Sequence, residues 1–166
     1  MTRLLSLVAL LGFLLSLAAH LAALLGVDVA AKLPLVWLLH VGIFVVFIPF
    51  AFHSRKVLGP KLPFSEIRKL FPGWVIGVGV GIFGYAIVNF LWFILATHGG
   101  SPGIREGKFI LQNHGHLIRE LTAAEYTAFK ANEVRGFSGH WMAFYFIPFA
   151  YFMFCRKSTP TIKRMA

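Results

Sequence analysis

Apolar residues in this chain come in four blocks, at residues 4–25, 34–52, 72–97 and 138–155, and every Lys, Arg, Asp and Glu lies outside them. A helix needs about 20 apolar residues to cross the hydrocarbon core of a bilayer. Each block is close to that length, so the pattern predicts four membrane-spanning helices and not a soluble core. Composition points the same way. The 166 residues are 58% hydrophobic and 13% charged, where an ordinary soluble domain is about 25% charged. One bundle is all that this length allows.

A pentapeptide occurs twice within the blocks. Phe47-Ile48-Pro49-Phe50-Ala51 returns as Phe146-Ile147-Pro148-Phe149-Ala150. Each copy follows a histidine, His40 or His140, and precedes an Arg-Lys pair. The match predicts two related halves, each a membrane hairpin, in the manner of parallel repeats. Pro49 and Pro148 each remove a backbone hydrogen bond and are expected to kink their helices against packed neighbours.

Charge sets the orientation. The net charge is +10, but the cations gather at block ends, which is the mark of membrane topology and not of nucleic-acid binding. Arg3, the 53–71 loop and the C-terminal tail carry ten cations against Glu66 alone, whereas the other side carries six cations against five acids. The positive-inside rule places both termini in the cytoplasm, as for a multi-pass protein of a bacterial inner membrane. The first block resembles a signal peptide, but its apolar run exceeds the usual length, which predicts a retained helix.

Two connecting segments carry structure of their own. Ser65 to Phe71 reads as a short amphipathic helix on the membrane surface. Between the third and fourth blocks, 108–112 and 116–120 are strand-like, with a hairpin turn at Asn113-His114-Gly115. Thr122 and Glu125 match a capping box. The helix they open is expected to end near Arg135, broken by Gly136 and Gly139, with Ser138 capping the fourth span. The fold class is therefore an all-α integral membrane protein: four transmembrane helices in two hairpins, and an extracytoplasmic ββα cap between the third and fourth.

Candidate functional residues follow from chemistry. Gly73, Gly77 and Gly81 share one face of the third span, a glycine zipper that would let a partner helix approach closely. Gly79, on the other side, is expected to tolerate a large side chain better. The Gly-x-Gly-x-Gly within this run has no preceding strand, so no nucleotide site is expected. Asn89 predicts an interhelical hydrogen bond. His20, His40, His98 and His140 all fall near the outer ends of the spans. Histidines on facing helices can hold a metal or haem. His40 and His140, at matched depth, are the candidate axial pair for haem b, or ligands for copper, with His20 and His98 in reserve. No nucleophile stands beside an evident base, so no enzyme is expected. The leading expectation is an accessory subunit of a larger membrane complex, with the lipid bilayer and other membrane subunits as partners. The alternative is a haem- or metal-binding redox module. A small transporter or channel comes third, because no acid lies inside any span.

Overall fold

The computed structural model describes residues 2–59 and 63–155. The predicted cytoplasmic tail, 156–166, and Lys61 lie outside the described residues. The protein is mostly helical, with one small sheet. Helix α1 is Thr2–Leu24, α2 is Val29–Lys32, and a 3-10 turn, Pro34–Trp37, leads into α3, Leu38–Leu58. The short α4 is Phe64–Leu70 and α5 is Gly73–Ala96. Three strands follow, β1 Ser101–Arg105, β2 Lys108–Asn113 and β3 His116–Glu120, then α6, Ala123–Phe154. Three segments are long and apolar enough to cross a membrane: Thr2–Leu24, Pro34–Leu58 and Gly73–Ala96.

Helix α6 corrects the expected boundary near residue 138. The capping box forms: Thr122 Oγ1 accepts from the Glu125 backbone N–H, and the Glu125 carboxylate accepts from the Thr122 N–H at 2.8 Å. That N–H, the Thr122 hydroxyl and the Arg119 guanidinium hold the Glu125 carboxyl below its ordinary range. The helix does not stop at Arg135. It runs on through Gly136, Ser138 and Gly139 for 32 residues, about 48 Å at 1.5 Å per residue. Ser138 is a buried mid-helix residue and caps nothing. The two glycines are helical because their missing side chains make room for a neighbour. A Cβ on Gly136 would strike the Phe93 ring, and one on Gly139 would strike the Asn89 amide.

Helix α6 is the centre of the molecule, with α1 and α5 antiparallel to it and α3 parallel. Helix α1 lays a stripe of small residues on it. Ser6, Ala9, Gly12, Ser16, Ala19 and Ala23 are buried, while leucines such as Leu4, Leu11 and Leu21 face outward. Small residues every three or four positions let helix axes come close, which is what association in lipid favours. Tyr145 of α6 exploits this. Its ring covers Gly12, its hydroxyl lies over Gly42 of α3, and that hydroxyl donates to the Leu39 carbonyl at 2.8 Å.

The glycine zipper of α5 has no partner among the described residues. A Cβ at Gly73, Gly77, Gly81 or Gly84 would meet nothing within 4 Å. Gly79, the position expected to be tolerant, instead faces α6, where a Cβ would sit 3.3 Å from the Phe146 ring. Pro148 is almost fully buried at the centre, whereas Pro49 is half-buried on α3. The two pentapeptide copies therefore lie in unlike environments.

The sheet has three strands in the order β1-β2-β3, one more than expected. Strand β1 is hidden in sequence by Ser101-Pro102-Gly103, which reads as loop. Pro102 is tolerated because β1 is an edge strand. Both hairpins turn through residues with positive φ, Glu106 (52°) and Gly107 (76°), then His114 (48°) and Gly115 (84°). Such pairs make the tight turns whose twist matches antiparallel strands. Phe109 stacks on Tyr126 at 4.6 Å and fastens the sheet to the first turns of α6. A short helix does form over the expected 65–71 stretch, as α4.

Candidate functional site

The buried polar side chains His20, Asn89 and Ser138 gather at the sheet end of the bundle, around residues 132–141 of α6, while Ser6 is buried at the other end of α1. Three successive turns of that helix aim Asn132, Arg135 and Ser138 toward α1 and α5. The Arg135 guanidinium donates to Asn89 Oδ1 at 2.9 Å and to Asn132 Oδ1 at 2.7 Å. Asn89, 3% exposed, donates in return to the Arg135 carbonyl at 3.0 Å. A partly buried guanidinium is costly unless its donors are matched. Here two amide oxygens meet it.

The Arg135 carbonyl also accepts from the Ser138 hydroxyl at 3.2 Å. That uses the serine's single proton, so the Ser138 oxygen accepts from His20 Nδ1–H, at 2.8 Å. His20 Nε2 must then be the acceptor for the Tyr85 hydroxyl, at 2.5 Å. The tautomer is assigned by this chain of donors and acceptors. The result is a neutral imidazole with both nitrogens engaged, linking α1, α5 and α6. His20 thus has no lone pair to offer a metal.

His40 and His140 do come together. Their ring centroids are 5.8 Å apart, edge to face at 85°. Phe137 lies edge-on to both, at 5.9 and 5.5 Å. Trp141, fully buried, donates its indole N–H to His40 Nδ1 at 3.0 Å. An indole can only donate, so the Nδ1 lone pair is occupied and the His40 proton sits on Nε2. Ligation through Nε2 would move that proton to Nδ1, where it would face the indole N–H. The rings also touch each other at ordinary aromatic distance, which leaves no gap for an iron between them. An axial haem pair would need both features undone. His98 is exposed, in a positive-φ turn (49°), against Phe129. Among the described residues no three His, Cys, Asp or Glu side chains converge as a metal-binding group.

Within the described residues every buried side-chain nitrogen and oxygen has a hydrogen-bond partner. The layer is thus chemically satisfied. It links α1, α3, α5 and α6. The sequence points to Asn89, His20 and the His40–His140 pair, but not to their partners: Arg135 for Asn89, Ser138 and Tyr85 for His20, and Trp141 for His40. Arg135 stands in the sequence as the end of a short polar helix, and nothing in its neighbourhood signals a contact 46 residues away. Comparison with known protein families, with curated proteins and with solved structures found no match. What the fold and site define is a class: a mostly helical protein with three apolar helices of membrane length, consistent with an integral membrane protein, and a small three-stranded sheet.

Proposed function

We propose that this chain is a multi-pass membrane protein that serves as an accessory subunit of a larger membrane complex. The observation that carries this reading is the unused glycine ladder of α5. The glycines at the close helix contacts, Gly12, Gly42, Gly136 and Gly139, are each filled by an aromatic ring, a tyrosine hydroxyl or an amide. Gly73, Gly77 and Gly81 are equally bare and meet nothing among the described residues. Glycine in a helix costs about 1 kcal/mol relative to alanine, and lipid gives no return for it. A partner backbone would.

The assembly prediction separates two faces of one helix. Gly77→Leu is expected to leave the isolated protein as stable as the parent and to shift it from a larger species to a monomer in mild detergent. Gly79→Leu, aimed at Phe146, is expected to lower thermal stability in either state. Size analysis and thermal melts read the two separately. A parent protein that runs only as an 18.5 kDa monomer in its native membrane extract sinks the subunit reading.

The C-terminal part of α6 is the fourth span in this reading, with the sheet outside and both termini in the cytoplasm. Its sequence is less apolar than the other three because α1, α3 and α5 surround it. Cysteines placed singly at Leu117 and Ala124, both exposed, in a Cys155→Ser background, are expected to react with a membrane-impermeant maleimide added to intact cells. Labelling only after the membrane is opened would invert the topology.

A further inference from the structure

If α1–α3 and α5–α6 are matched hairpins, the seam between α1 and α6 has a counterpart between α5 and α3. The first seam is closed by the small residues of α1 and by the Phe13–Phe146 ring contact at 5.9 Å. The second is open. A cleft of about 470 Å³ separates α3 from α5, with α6 as its floor and α4 at the end away from the sheet. Phe50 and Leu58 of α3, Val75 and Val80 of α5, and Ile147 of α6 are among its walls, and among the described residues no charged side chain lines it.

Size decides what can enter. A helix about 10 Å wide and 12 residues long fills roughly 1,400 Å³, so a partner helix could lie only across the mouth. The cleft is within the range of small-ligand sites, about 300–1,000 Å³, and its shape between two helices suits a flexible hydrocarbon chain. The end near α4 has different chemistry. Tyr151 lines it, and its hydroxyl is hydrogen-bonded to His53 Nδ1 at 2.8 Å. Arg55 and Lys56 follow the lining residue Ser54, and Arg68 and Lys69 follow the lining residue Ile67. The one acid nearby, Glu66, is paired with Lys69 at 2.7 Å. At about 100° per residue, Arg55 and Arg68 each stand one step around their helices from a lining residue, whereas Lys56 points to the far side of α3.

We propose that this cleft holds one acyl chain of an anionic phospholipid from the leaflet at the α4 end, with its phosphate met by Arg55 and Arg68. The site is separate from the glycine ladder. Gly77 and Gly81 lie about 160° around α5 from Gly79, which lines the cleft.

Native mass spectrometry on the delipidated full-length protein tests this, with phosphatidylglycerol and phosphatidylcholine added as probes. One phosphatidylglycerol is expected to remain bound in preference to phosphatidylcholine. Arg55→Glu and Arg68→Glu are each expected to reduce that preference about fivefold or more. Val80→Trp fills the cleft from an exposed position, 63% accessible, and is expected to cut lipid retention about tenfold at unchanged thermal stability. Ile147→Trp fills it from the floor and serves as the second variant if the first does not fold. Equal retention of the two lipids by the parent overturns the proposal. So does undiminished retention by a folded cleft-filling variant, or a bound polypeptide mass in place of lipid.

Discussion

Trp141→Ala should be the most damaging single truncation in this protein. The indole is 0% exposed and packs edge-on against Trp37 at 5.6 Å, on the parallel seam between α3 and α6. In lipid the transfer part of the usual loss is muted, since acyl tails are as apolar as a core. The cavity remains, and His40 Nδ1 loses its donor. A cost of about 3 kcal/mol follows, or roughly 10 °C in apparent melting temperature for a chain of this size. Trp141→Phe keeps most of the volume and removes only the hydrogen bond, so about 1 kcal/mol is expected. If the two variants melt together, packing at this seam does not hold the bundle.

The second large effect comes from adding one carbon. Gly12→Ala places a methyl where the Tyr145 ring lies. To admit it, the ring must leave a site in which it is 3% exposed and give up its bond to the Leu39 carbonyl. Overpacking of this kind costs about 1–3 kcal/mol, enough to outweigh the gain of about 1 kcal/mol that alanine brings to a helix. Gly81→Ala is the same chemical change with nothing in the way. It should be neutral or stabilising in the isolated protein. Thermal melts in one detergent compare the pair directly, and equal effects at the two sites would remove Tyr145 as the clasp between α1, α3 and α6.

That contrast also shows what could be read from the residues. Block length announced the apolar helices, because the bilayer imposes it. The capping box at Thr122 and the turn at His114-Gly115 were legible because their signals are local. Glycine was the ambiguous letter. At Gly136 and Gly139 it looked like a helix stop, whereas its use is close approach, and only the partner side chains Phe93 and Asn89 reveal that. The packing stripe of α1 was visible but masked by the surrounding leucines, which drew attention to hydrophobicity over size. For the histidines, depth could be counted from the repeated pentapeptide, so the meeting of His40 and His140 was within reach. Tautomers were not, because they depend on Trp141, Ser138 and Tyr85, each brought in by the fold.

The central position of α6 has a consequence for how the protein is made. On the four-span reading, the chain enters the membrane from its N-terminus, and α1, α3 and α5 are apolar enough to settle in lipid alone. The last helix carries Arg135, Ser138 and His140 and has no comparable partition of its own. It must be received by the three already present, with the Asn89 amide and the His20 ring waiting as its first polar contacts. The insertion of α6 is then also the step that completes the bundle, and a chain cut short before residue 155 would leave three helices around an empty middle.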